Sequence, residues 1–114
     1  MIVVTGRVVV PAHRREEFVR LATEMCAASR GDDGCVGYRF YADMEQPDRY
    51  VFIEEWRDEQ ALQSHFAQPH TARFMAGLPP MLGEEADALF HTVGSTRRLH
   101  PRRGLVAVEP DDGG

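Results

Sequence analysis

The 114-residue sequence has no lysine and no asparagine, and only two cysteines. Without lysine there is no Schiff-base amine, and without asparagine one common oxyanion donor is missing. Cys26 and Cys35 are too few for a disulfide framework or a cysteine-rich zinc site, and read as small buried residues. No apolar run approaches the roughly 20 residues that a membrane-spanning helix needs, and Met1 to Arg7 holds no basic region ahead of a long apolar stretch. The expectation is a cytoplasmic protein with no membrane partner. Positive charge is scarce as well: the net charge is -5, so nucleic acid is not an expected partner. Arg97, Arg98, Arg102 and Arg103 do cluster, but the acidic end at Glu109, Asp111 and Asp112 follows them. There is no GxGxxG and no P-loop, and hence no support for a dinucleotide, nucleoside triphosphate or flavin. His13, His65, His70, His91 and His100 match no HxH, HxxxH or HExxH spacing, so neither a metal nor any other cofactor is expected.

What is present is the material of one globular domain, 43% hydrophobic and 27% charged. Ile2 to Val10 (IVVTGRVVV) is rich in β-branched residues, ends at Pro11 and reads as a strand. From about His13 to Ser29, Phe18, Leu21, Ala22, Met25 and Cys26 recur at helical spacing and predict an amphipathic helix. Arg30 to Gly34 is turn chemistry, and Cys35 to Ala42 returns as a strand. Asp43 to Arg49 forms a polar loop, and Tyr50 to Arg57 (YVFIEEWR) completes an antiparallel hairpin. Asp58 is placed to cap a short helix reaching Phe66, and Pro69 to open another that extends to Pro79-Pro80. A last strand falls within Ala86 to Ser95, although Ala88-Leu89 suits either state. The order is that of an α+β, ferredoxin-like split βαβ fold: a four-stranded antiparallel sheet over residues 1–95, with helices on one face. The other sheet face is left uncovered. Because the strand around Ile53 is apolar on both sides, a homodimer is expected to cover it. The tail, 96–114, reads as a short strand at Leu105 to Val108 added to the partner, or as a loose segment.

His65 lies three residues after Leu62, on the apolar side of its helix. It reads either as a core histidine bonded to a carbonyl or carboxylate, or as a neutral general base near its working pH. His70, just past Pro69, is either a solvated first-turn residue or a neighbour of the same space. Glu54 and Trp56 share one face of their strand, where a carboxylate needs a partner. Glu54 would orient His65 while Trp56 walls an aromatic pocket and offers its indole N–H to a substrate oxygen; alternatively Glu54 bonds Arg7 or a backbone amide and Trp56 fills core. Phe52, Tyr38, Phe40, Tyr41, Phe74 and Met75 add aromatic and polarizable surface. Cys35 has no basic neighbour in the sequence to activate its thiol.

Ser29-Arg30, Gly34-Cys35, Tyr38, Glu54-x-Trp56, Leu62-x-x-His65, Pro69-His70 and Phe74 together resemble the antibiotic biosynthesis monooxygenase family, over residues 2–95. The resemblance implies a dimeric α/β barrel of ferredoxin-like subunits, each with a pocket between sheet and helices. It also implies a range of chemistries: cofactor-free oxygenation of quinols or anthrone-type polyketides, haem degradation, and isomerisation of a small metabolite. Trp56 matches the pocket tryptophan of the polyketide oxygenases, but their asparagine falls on Phe52 and their helix tyrosine on Leu62. The haem degraders' asparagine, tryptophan and histidine positions fall on Gly6, His65 and Met75. The closer likeness is to small quinol-oxygenase-like members that keep Glu-x-Trp and Leu-x-x-His. The expected function is therefore a cofactor-independent monooxygenase acting on a small aromatic, quinol or polyketide-like substrate and dioxygen. His65 and Glu54 would be catalytic, and Trp56, Phe52, Tyr38, His70 and Phe74 would bind substrate. The alternative is a non-catalytic small-molecule or haem-binding dimer, or an isomerase.

Overall fold

Alternation along β1 (Ile2–Val9) sends Val4, Gly6 and Val8 inward and Thr5 and Arg7 outward, so one face of the strand is buried. The chain is described over residues 1–108 by a computed structural model; the acidic end at Glu109, Asp111 and Asp112 lies outside that range. A single 3-10 turn, Ala12–Arg14, precedes helix α1 (Arg15–Ser29), which therefore starts two residues later than its pattern predicts. Phe18, Ala22, Met25 and Cys26 are buried as their spacing predicts, while Leu21 sits half-buried at the edge of the stripe. The turn that follows ends at Gly34, whose φ of 80° suits glycine and where a Cβ would strike Ala61.

β2 (Cys35–Ala42) and β3 (Arg49–Trp56) form the expected hairpin. The register places Tyr38 opposite Glu54 and Phe40 opposite Phe52. Asp58 Oδ1 accepts the Ala61 N–H at 2.8 Å and caps α2 (Glu59–Phe66). Pro69 opens α3 (Pro69–Gly77), and a second 3-10 turn (Pro79–Met81) closes the helical run. The ambiguous Ala88-Leu89 belongs to a strand, β4 (Asp87–Thr92).

The sheet order is β2-β3-β1-β4, antiparallel throughout, with the helices on the face that carries Val4, Val8, Tyr50 and Trp56. This is the ferredoxin-like α+β arrangement. The opposite face is open: Tyr41 is 51% exposed, Ile53 37% and Leu89 53%. In the described part of the tail the strand read at Leu105 to Val108 does not stand alone. β5 (Arg97–His100) and β6 (Gly104–Ala107) pair with each other as a separate two-stranded sheet, turning at Gly104 with φ 71°. Among the described residues no helix is long and apolar enough to cross a membrane.

Candidate active site

Between the helices and the inner face of the sheet lies a cavity of about 510 Å³. Its walls hold five of the six phenylalanines; Phe18 alone packs elsewhere. Phe40 and Phe52 come from neighbouring strands with ring centroids 5.1 Å apart, and Phe74 of α3 approaches Phe40 at 5.9 Å. Phe52 can lie flat across β1 because its partner in register is Gly6, where any Cβ would occupy the space of the ring. The cavity is thus an aromatic slot of the size that holds a small organic ligand.

Its polar end is built by three side chains that the sequence singles out. Glu54 is 7% exposed, Tyr38 3% and His65 2%. Burial pushes the Glu54 carboxyl up to about 7, against hydrogen bonds from Trp56 and Tyr38 that favour its ionised form. Burial, and then the nearby Glu54 carboxylate, push the Tyr38 phenol upward, so it remains a proton donor at neutral pH. Burial likewise lowers the His65 imidazole from its usual value, with Asp32 pulling the other way, and the ring is therefore neutral near pH 7.

The carboxylate that orients His65 is Asp32 and not Glu54. His65 Nδ1–H donates to Asp32 Oδ2 at 2.8 Å, and Thr71 Oγ1 lies 3.3 Å from the same nitrogen. His70 Nε2–H donates to the same carboxylate oxygen at 2.9 Å. Asp32 sits in the turn after α1, where its N–H donates to the Ser29 carbonyl and its own carbonyl accepts the Cys35 N–H. That turn, the end of α2 and the start of α3 thus meet on one oxygen. With Nδ1 committed to Asp32, Nε2 is the ring nitrogen with no protein partner among the described residues, on a side chain that lines the cavity.

Two further expectations are corrected. Trp56 is fully buried outside the cavity lining, and its Nε1–H is taken by Glu54 Oε1 at 3.0 Å, so it offers nothing to a substrate directly. Its ring instead packs against His65, centroids 4.5 Å apart and tilted by 37°. His70 is also absent from the lining; it shares Asp32 Oδ2 with His65 and its ring lies beside that of His65, centroids 5.9 Å apart. Tyr38, Phe52 and Phe74 do line the cavity, as do Phe40 and Met75, whereas Tyr41 lies on the open sheet face.

Helical and strand patterning could not reveal Asp32, because an aspartate between glycines reads as turn chemistry. No metal is expected from the histidine spacing, yet Asp32, His65 and His70 bring one donor atom each within 4.8 Å of one another and could hold a divalent ion. As they stand, the two N–H groups and the carboxylate satisfy one another at hydrogen-bond distance. Neither cysteine is poised as a nucleophile: burial raises the Cys26 thiol and pushes that of Cys35 up to about 11.

The sequence profile described as antibiotic biosynthesis monooxygenase matches residues 1–77. An uncharacterized protein of Synechocystis, sll1783, is 33% identical over 98 residues, covering 86% of this chain and 67% of that protein. Rv0793 from Mycobacterium tuberculosis has a similar structure, with a TM-score of 0.76 at 23% identity over 81% of this chain and 93% of its own. A conserved protein from Methanosarcina mazei Go1 likewise scores 0.76, at 26% identity over 79% of this chain and 89% of its own.

Proposed function

Because the chain belongs to the antibiotic biosynthesis monooxygenase family, we propose that it is a cofactor-independent monooxygenase of a small aromatic, quinol or polyketide-like substrate. The observation that carries this reading is the His65 ring, held at Nδ1 by Asp32, with Nε2 without a protein partner among the described residues on a side chain that lines an aromatic cavity. Nε2 takes a proton from an activated carbon or phenol of the substrate, and Asp32 stabilises the imidazolium that results. The substrate anion then supplies the electrons to dioxygen. For an activated methylene the sequence balances: the carbanion adds dioxygen to give a peroxide anion, the peroxide takes a proton, and loss of water leaves a carbonyl. One oxygen atom enters the product and the other leaves as water. Glu54, with its carboxyl near 7, is the donor available to the developing oxyanion, and the Tyr38 hydroxyl, bonded to Glu54, supports it from behind.

The open face with Tyr41, Ile53 and Leu89 supports a homodimer that packs sheet against sheet into an α/β barrel. The free Cys26 and Cys35 suit a reducing compartment such as the cytoplasm. A second reading, a non-catalytic small-molecule or haem-binding dimer or an isomerase, draws on the 2% exposure of His65, which equally suits a wall residue. Dioxygen uptake by the metal-free protein, against anthrones, naphthohydroquinones and catechols, separates the two. Uptake above autoxidation that is lost in His65→Ala is the expected result. Ligand binding with no uptake across the panel would move the assignment to the second reading.

A further inference from the structure

The cavity contains acids and no cation. The chain has 13 basic residues, all arginine, and none of them lines it. Its ionisable walls are Glu54, Glu84, Glu85, His65 and Tyr38. They fall into two groups: Glu54, His65 and Tyr38 are buried at one end, whereas Glu84 and Glu85 are exposed on the segment joining the second 3-10 turn to β4. That segment is tied to β1 where Gly83 N–H donates to the Val9 carbonyl at 2.8 Å. Arg49 meets Glu84 at 3.7 Å from outside the lining, with both side chains about half exposed.

We infer that the site selects by charge: it takes an uncharged hydroxyarene, or one with a cationic group at the mouth, and rejects arenes carrying a carboxylate, sulfonate or phosphate. The inference rests on the reading above only in placing the hydroxyl at His65. An anionic substituent leaving water for a phenylalanine-lined slot needs a countercharge, and the walls supply none. At the mouth it would face Glu84 and Glu85, a like-charge juxtaposition that slows encounter and weakens binding. The chemistry points the same way. An uncharged substrate that yields its proton to His65 leaves an anion beside an imidazolium, so the net charge of the cavity does not change. A substrate that already bears an acid group would leave a dianion among carboxylates, with a single imidazolium to offset it.

The test is equilibrium dialysis of the purified protein at neutral pH with three ligands of one shape: beta-naphthol, and its derivatives carrying an aminomethyl or a carboxylate group on the distal ring. The carboxylate should bind roughly tenfold or more weakly than naphthol, and the aminomethyl compound at least as well as naphthol. In the Glu84→Gln/Glu85→Gln double variant the gap between naphthol and carboxylate should narrow. Equal or tighter binding of the carboxylate, or no binding of any of the three up to millimolar concentration, overturns the inference. Its failure is separable from that of the oxygenase reading. Charge-graded binding without dioxygen uptake removes the oxygenase and leaves the selectivity, whereas equal turnover of neutral and anionic substrates removes the selectivity and leaves the oxygenase.

Discussion

Asp32 accepts N–H bonds from two imidazoles on one oxygen, so replacing it tests the site's proton chemistry with little change in volume. In Asp32→Asn the amide can donate to His65 Nδ1, which moves the ring proton to Nε2 and removes the lone pair from the cavity. We expect kcat for dioxygen uptake to fall by about 100-fold or more with KM within a few-fold, since proton transfer is lost and the aromatic walls remain. An unchanged kcat would remove His65 from the chemistry. Glu54 makes a different statement, about stability. Its carboxyl titrates at about 7 in the fold and at 4.5 in the unfolded chain, so between those values the folded state binds more protons and stability falls as pH rises. The fall amounts to about 3 kcal/mol at most. His65, lowered by burial, acts oppositely below its unfolded value of 6.5, where stability rises with pH. Glu54→Gln isolates the first effect: in urea titrations its stability relative to the parent should climb from pH 5 to about 7 and level off above. A difference that stays flat with pH would mean that Glu54 is ionised in the fold.

At the scale of elements, β1 and β3 meet at Gly6 and Phe52, and the floor of the cavity depends on that pair. Gly6→Ala should force the Phe52 ring into the slot, destabilise the fold by about 1–3 kcal/mol in urea and weaken naphthol binding. Destabilisation with unchanged affinity would take Phe52 out of the binding surface. Elements with a buried face were legible in the sequence, because burial imposes a period: two along β1 and β3, and three to four along α1. The Glu54 and His65 positions followed from polar groups breaking those apolar patterns, and Tyr38 from the aromatic run of its strand. What escaped has no period. Asp32 acts from a turn, and the contact between His65 and Asp32 joins residues 33 apart in sequence. The β5–β6 hairpin buries little, with Leu99 and Leu105 both exposed, so no alternation marks its first strand.

Among the described residues one sheet face has no covering layer, and its size can be weighed against what a dimer needs. Three strands of eight residues and one of six, spaced about 4.8 Å apart, present a flat footprint of at most roughly 19 by 26 Å, or about 500 Å², which side-chain relief raises toward the roughly 800 Å² per partner of a stable interface. Tyr41, Ile53, Leu89 and half-buried Val51 provide its apolar centre, while Arg7, Arg39 and Glu55 add charges of both signs that a two-fold axis can set against each other. None of Tyr41, Val51, Ile53 or Leu89 lines the cavity, so association and ligand binding can be separated. In Ile53→Asp/Leu89→Asp the two carboxylates would be buried without partners at a sheet–sheet contact, and sedimentation equilibrium should show a dimer for the parent and a monomer for the variant. The parent's thermal midpoint should also rise with protein concentration, and that of the double variant should not. A parent that sediments as a monomer at all concentrations would show that this face is a solvent surface, and the cavity would then have to be complete within one chain.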